Sequence, residues 1–204
     1  MSDSNMTMLI YILLIVMGYL LGSISSAIVV CKLMRLDDPR NHGSSNPGTT
    51  NVLRLHGKKA ATLTLGGDVL KGYLPVFLAQ IAMAPLWLAG FAGLAAFCGH
   101  LYPAFFGFRG GKGVATLIGV LFGLNWLLGL TFIATWLIVA LLFRYSSLAG
   151  LTAAALSPVY CAILEPSVLV IIPIVIMAVM LFWRHRSNIR NLLAGKEDKI
   201  GEKN

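Results

Sequence analysis

The sequence predicts an all-α polytopic integral membrane protein of seven transmembrane helices, some of them short, with the N-terminus outside and the C-terminus in the cytoplasm. Three observations predict it. Of 204 residues, 57% are hydrophobic and only 12% charged, and the mean hydropathy is +0.81, which excludes a water-soluble chain; at this length residues 1–204 form a single membrane domain. Uncharged stretches run from Ser4 to Cys31, Gly72 to Phe108, Gly113 to Phe143 and Tyr145 to Trp183, the last broken only by Glu165, and are 28, 37, 31 and 39 residues long. The basic residues lie between these blocks, not within them.

A crossing consumes roughly 20 residues, so the first block is one helix. Asp3 is the only charge before it, and neither an N-terminal Lys or Arg nor a small-residue cleavage pattern accompanies it, so it reads as a retained helix and not a signal peptide. The polar segment from Lys32 to Asp68 follows, dense in Gly, Ser, Thr and Asn, and within it Lys59 to Leu65 is too short to cross and reads as an interfacial or re-entrant piece. The blocks of 37 and 39 residues each fit two helices, with turns at Ala89-Gly90 and at Glu165-Pro166. The block of 31 is long for one helix and short for two, and its breakable centre is Gly123, Asn125 and Gly129. Charge decides between them. If the chain turns back at Asn125, all 16 Lys and Arg residues fall on one face; if it does not, Arg144 and the basic tail from Arg184 to Lys203 oppose Lys32, Arg35, Arg40, Arg54, Lys58 and Lys59. Seven crossings with a cytoplasmic basic face result, some of them short, which a membrane tolerates only where helix ends are buried in protein or line a wet cavity.

The net charge of +8 is distributed between apolar blocks, so the expected partners are membrane lipid and an anionic substrate, with no nucleic acid. Cys31, Cys98 and Cys161 lie far apart in or beside apolar segments and read as packing residues. No metal site, nucleotide fingerprint or cofactor is expected.

Four polar constellations carry candidate chemistry. Gly43 to Asn51 is a run of small residues whose amides can converge on an anion, with Ser44, Thr49, Thr50 and Asn51 adding side-chain donors and Arg54 a turn further on if a helix begins there; an ordinary capped loop is the plainer reading. Arg109-Gly110-Gly111-Lys112-Gly113 opens a later helix. It lacks the glycine four residues before Gly-Lys and the hydroxyl after it that a nucleotide loop needs, Phe106 and Gly113 standing there instead, but a glycine-flanked lysine suits a doubly charged phosphate. A positive-inside anchor explains Arg109 and Lys112 but not three glycines. His100, nearby, reads as a packed or capping histidine. Arg144-Tyr145-Ser146-Ser147 offers two adjacent hydroxyls, which also cap helices. Arg184-His185-Arg186-Ser187-Asn188, with Arg190, places His185 and Asn188 on one helical face, against the simpler reading of a stop-transfer cluster. The seven-span arrangement returns all four to one side.

At these residues the sequence resembles the bacterial PlsY family, the acyl-phosphate:glycerol-3-phosphate acyltransferases that begin phospholipid synthesis. The likeness runs through Gly22-Ser23-Ile24, GSxNPGxTNVxR at 43 to 54, Asp68-Val69-Leu70-Lys71-Gly72, GHxxPxFFxFxGGKGVAT at 99 to 116, Tyr145-Ser146-Ser147 and His185-x-x-Asn188. It implies seven transmembrane helices in the bacterial inner membrane with the active site facing the cytoplasm, and transfer of a fatty acyl group from acyl phosphate to the 1-hydroxyl of glycerol 3-phosphate, giving lysophosphatidic acid. It further implies that Ser44, Gly48 and Thr49 form the hole for the acyl-phosphate's phosphate, bordered by Asn188, that Arg54, Lys112, Ser146, Ser147 and His185 hold glycerol 3-phosphate, and that His185, Asn188 and Lys112 are catalytic. Functional coupling to the enzyme that makes acyl phosphate is also expected. Ser45 and Thr49 depart from the family's usual Gly and Ala; Ser45 is strained if its position needs a positive φ, whereas Thr49 keeps its amide.

An acyl phosphate is already an activated mixed anhydride, so direct transfer needs no enzyme nucleophile, only positioning and electrostatic stabilisation of the departing phosphate. The proton goes either to the substrate's own phosphate or to His185; no obvious carboxylate orients that histidine, which favours the substrate. The HxxxxD dyad of other glycerolipid acyltransferases is absent, since Pro47, Ala61, Phe105 and Arg190 stand five residues after His42, His56, His100 and His185. A transporter of anionic metabolites is the rival class, but a permeation path should carry polar groups through the midplane, where this chain has few.

Overall fold

The computed structural model describes residues 3–201, which leaves Lys203 of the basic tail outside, and the described residues contain helices and no strand. The helices are α1 (Asp3–Gly22), α2 (Ser26–Leu33), α3 (Thr49–Ile81), α4 (Leu86–Leu101), α5 (Val114–Leu124), α6 (Trp126–Phe143), α7 (Ser146–Leu164), α8 (Val168–Arg184) and α9 (Arg186–Leu193), with a single 3-10 turn at Ala104–Phe106. Among them, four are long and apolar enough to cross a membrane, in α1, α4, α6 and α7, and a fifth span results if α8 and α9, bent by 59° about His185, count together. Of the others, α3 carries Asp68 and Lys71 along its length and α5 has only 11 residues.

The bundle is held by close backbone approach. Gly18 and Gly22 of α1 and Gly99 of α4 face one another so tightly that a Cβ on any of them would strike the opposing main chain, and Gly72 on α3 and Gly119 on α5 form a second seam of the same kind. Small residues give membrane helices the dispersion contacts that the hydrophobic effect cannot supply between apolar surfaces already in lipid. Phe97, Leu101, Leu117, Leu121, Phe132, Ile174, Met177 and Leu181 fill the interior, while Leu13, Leu137, Leu141 and Val179 point outward. Cys31 and Cys161 are buried among apolar neighbours.

Two of the expected turns form where the sequence puts them. Asn125 separates α5 from α6 and caps α6 through its side chain, accepting from the Leu127 amide at 2.9 Å, and Glu165 ends α7. The Asn125 amide donates to the Glu165 carboxylate at 2.8 Å, which ties both turns together at one end of the bundle.

Three expectations are corrected. The turn expected at Ala89-Gly90 lies instead at 82–85, before Pro85, which serves as the N-cap of α4; Ala89 and Gly90 are buried inside that helix. Lys59 to Leu65 is not a re-entrant piece but part of α3, which kinks at Gly57 (φ +80°) and then runs on past Asp68 and Lys71. The helix can do so because those two charges neutralise each other inside the protein, Lys71 Nζ lying 2.8 Å from Asp68 Oδ1. The first apolar block breaks at Ser23–Ser25 into α1 and the short α2, where the Ser23 hydroxyl donates to the Tyr19 carbonyl at 2.8 Å.

Candidate active site

The polar constellations surround one end of the bundle, and each is shaped by local backbone chemistry. In the loop before α3, Gly43 (φ +61°) and Ser45 (φ +55°) are both left-handed, so Ser45 occupies the strained conformation that the glycine of the family pattern takes freely. Asn51, 1% exposed, pins this loop: its Nδ2 donates to the carbonyls of Pro39 (2.9 Å) and His42 (3.2 Å), and its Oδ1 accepts from the Ser44 amide (3.0 Å). Asn51 is therefore a brace and not the anion donor that its place in the run suggested. The amides of Ser45 and Gly48 are likewise spent on His42 and Asn46. What the segment presents is the N-terminus of a long helix without a side-chain cap, whose first amides have no intrahelical acceptor, together with the exposed Ser44 and the partnerless hydroxyl of Thr49. Arg40 carries the loop to its neighbour, pairing with Asp38 at 2.7 Å and donating to the Phe106 carbonyl at 3.1 Å; that guanidinium holds the Asp38 carboxyl below its ordinary pKa, chiefly by hydrogen bonding.

The second loop leads to α5 through Gly113, whose φ of +93° a side chain would resist and whose missing Cβ leaves room for Phe97. Arg184 secures the loop by donating to the carbonyls of Gly110 (2.8 Å) and Gly111 (3.1 Å). Lys112 then reaches Asn188 Oδ1 at 2.5 Å. Burial pushes the Lys112 ammonium below its ordinary pKa; Glu197 opposes that effect, and Arg184 and Arg54 add to it. Arg109, by contrast, is exposed.

The α8–α9 corner supplies the histidine. His185, 4% exposed, sits at the bend with Nδ1 2.8 Å from the Leu181 carbonyl. With Nδ1–H as donor there, Nε2 carries the free lone pair. Burial lowers the imidazole's pKa to about 4, outweighing the Leu181 hydrogen bond, with Lys112 pushing the same way, so His185 is neutral at physiological pH. Asn188 links Lys112 to Glu197, donating to the Glu197 carboxylate at 2.6 Å. The chain after α9 folds back over the site: Asp198 pairs with Arg54 at 2.8 Å, and Ile200 exchanges hydrogen bonds with Arg144, its amide donating to the Arg144 carbonyl at 2.6 Å and its carbonyl accepting from the guanidinium at 3.0 Å. Arg144 is left-handed (φ +63°) and ends α6; Ser146 and Ser147 begin α7 immediately after it, and the buried Ser147 hydroxyl has no hydrogen-bond partner.

The structure thus links Lys112, Asn188 and, through Glu197 and Asp198, Arg54, with His185 beside them. The hydroxyls of Ser44, Ser146 and Ser147 make no hydrogen bond to this cluster, and Gly48 meets its own loop at Asn46 and α3 through its carbonyl, which accepts from the Val52 amide. Sequence reasoning missed Glu197 and treated Arg184 as an anchor. Glu197 left little signal beyond being an acid in a basic tail. The arrangement sets several cations, one of them partly desolvated, around a neutral imidazole and two helix N-termini, a chemistry suited to phosphorylated ligands.

Comparison with known proteins gives the same chemistry a family. A sequence profile described as glycerol-3-phosphate acyltransferase matches residues 12–195. The chain belongs to the glycerol-3-phosphate acyltransferase family. Among acyltransferases of that name, the one from Thioalkalivibrio sulfidiphilus is 53% identical over 197 residues, covering 96% of this chain and 97% of its own. That from Hydrogenovibrio crunogenus is 55% identical over 185 residues, covering 90% and 88%. Crystal structures of PlsY, an integral membrane glycerol 3-phosphate acyltransferase, superpose with TM-scores of 0.89 for its glycerol 3-phosphate form and 0.87 for its lysophosphatidic acid form, at 40% and 39% identity. The first covers 94% of this chain and 96% of the PlsY chain, and the second 94% and 95%.

Proposed function

We propose that this acyltransferase takes its acyl group from acyl phosphate and delivers it to the 1-hydroxyl of glycerol 3-phosphate, releasing lysophosphatidic acid and inorganic phosphate. The observation that carries the reading is the bridge from Lys112 through Asn188 to Glu197, because it sets a cation and an amide around one point. In the reaction the substrate oxygen attacks the acyl carbonyl, the carbon–oxygen bond to phosphate breaks, and the electron pair leaves with the phosphate. The proton goes to the substrate's own phosphate or to Nε2 of His185. Its Nδ1 faces a carbonyl and not a carboxylate, and burial outweighs the support of that hydrogen bond and of Glu197 and keeps the ring a weak base, which supports the substrate's phosphate as acceptor.

The first amides of α3, with Ser44, Gly48 and Thr49, receive the acyl-phosphate's phosphate beside Asn188. Arg54, Lys112, Ser146, Ser147 and His185 hold glycerol 3-phosphate, and the unpartnered hydroxyl of Ser147 supports its share in this. Binding to Arg54 replaces Asp198 by the substrate's phosphate. The acyl chain lies between helices; an apolar groove of about 530 Å³ lined by Leu65, Val69, Tyr73 and Phe122 has the matching chemistry. The chain makes seven crossings of the bacterial inner membrane with this site on the cytoplasmic side, where the acyl-phosphate-producing enzyme delivers the donor.

Purified protein given synthetic palmitoyl phosphate tests the reading. Phosphate release that depends on glycerol 3-phosphate and matches lysophosphatidic acid formed mole for mole is the expected result. Acyl transfer from acyl-CoA or acyl carrier protein, with acyl phosphate inert, would overturn it.

A further inference from the structure

Asp68, Lys71 and His100 are 2%, 6% and 6% exposed, lie in the interior of the helix bundle, and take no part in the chemistry above. Lys71 Nζ lies 2.8 Å from Asp68 Oδ1 and donates to the Ile24 carbonyl at 2.8 Å, in the break between α1 and α2. His100 faces the same carboxylate from α4, its Nδ1 3.6 Å from Asp68 Oδ1. The opposite edge of the ring is pressed against Gly111: a Cβ there would run into Nε2, and the Gly111 amide donates to the His100 carbonyl at 3.2 Å. The residue after Gly111 is Lys112. Ion pairs buried inside a membrane protein are costly, and Asp68 and Lys71 already neutralise each other without the histidine. The imidazole adds a shaped, polar wedge between that pair and the backbone of the lysine loop, while Arg184 holds the loop from the other side by the carbonyls of Gly110 and Gly111.

We infer that Asp68, Lys71 and His100 form a positioning triad whose histidine sets the height of the Gly110–Gly113 loop and so fixes where the Lys112 ammonium meets the substrate phosphate. The triad touches no substrate and acts through Lys112. The inference rests on the proposed glycerol 3-phosphate site, in which Lys112 is a ligand.

Steady-state kinetics of His100→Gln and His100→Asn in the full-length protein test it, each made also in a Lys112→Gln background, with thermal midpoints measured alongside. In the otherwise native protein both His100 variants are expected to raise KM for glycerol 3-phosphate about 10-fold, with kcat changed less than about 3-fold and the thermal midpoint retained. With Lys112→Gln present, the same substitutions are expected to change KM no further, because two residues acting through one contact are not additive. Multiplicative effects on a defective Lys112→Gln protein, or a loss confined to kcat and thermal midpoint, would overturn the triad and leave the site intact. Normal kinetics of Lys112→Gln alone would instead overturn the site on which it rests.

Discussion

At the scale of single residues, Lys112 has the most to lose. A charge-assisted phosphate contact contributes roughly 1.5–3 kcal/mol, and more where the same group orients the reacting oxygen, so Lys112→Ala should lower kcat/KM about 100-fold or more in the phosphate-release assay. Near-native kinetics would remove it from the site. His185 makes a prediction in pH. Its folded pKa of about 4 lies below the ordinary 6.5, so between those values the unfolded chain binds the extra proton. The stability that burial of the neutral ring contributes is present above pH 6.5 and lost as pH falls towards 4. The thermal midpoint of the native protein should therefore fall more steeply over that window than that of His185→Gln; parallel curves would show an imidazole that titrates normally. Ser45, left-handed at φ +55°, should stabilise the protein by about 1 kcal/mol when replaced by glycine, read as a higher thermal midpoint. The spacing of His185 and Asn188 suggested one helical face, but the chain bends by 59° at His185, so the histidine sits at the corner between α8 and α9 and only Asn188 lies on a helix. The brace made by Asn51 was not legible in sequence, since an amide among hydroxyls reads as a ligand donor until its bonds to Pro39, His42 and Ser44 are seen.

At the scale of helices, the governing feature is close approach. Gly119 packs on the α3 main chain at Val69 and Tyr73, so Gly119→Val must part α3 from α5. A cost of about 3 kcal/mol follows from overpacking a seam with no room to relax, and loss of a monodisperse peak in detergent is the expected measurement; a normal profile would show the seam to be looser than described. Helix punctuation was legible where the turn residue also satisfies a helix end, as Asn125 does by accepting from the Leu127 amide. It failed at Ala89-Gly90, because glycine in a membrane helix marks a packing surface as readily as a turn, and Gly90 lies against Pro173. It failed again at Asp68 and Lys71, which look like the end of an apolar run until their mutual neutralisation is known.

At the scale of the whole molecule, the proposed orientation rests on the distribution of basic residues, since short cytoplasmic loops carry an excess of Lys and Arg. In the proposed function, the loop before α3, the Lys112 loop and the α6–α7 and α8–α9 corners make one phosphate-binding site at the cytoplasmic membrane surface. The most direct test is a single cysteine at Ser146, half-buried at the start of α7, in a protein with Cys31, Cys98 and Cys161 replaced by alanine. A membrane-impermeant maleimide should leave it unlabelled in intact spheroplasts and label it once the membrane is opened, more slowly when glycerol 3-phosphate is present. Labelling in intact spheroplasts, or labelling that glycerol 3-phosphate does not slow, would contradict the account.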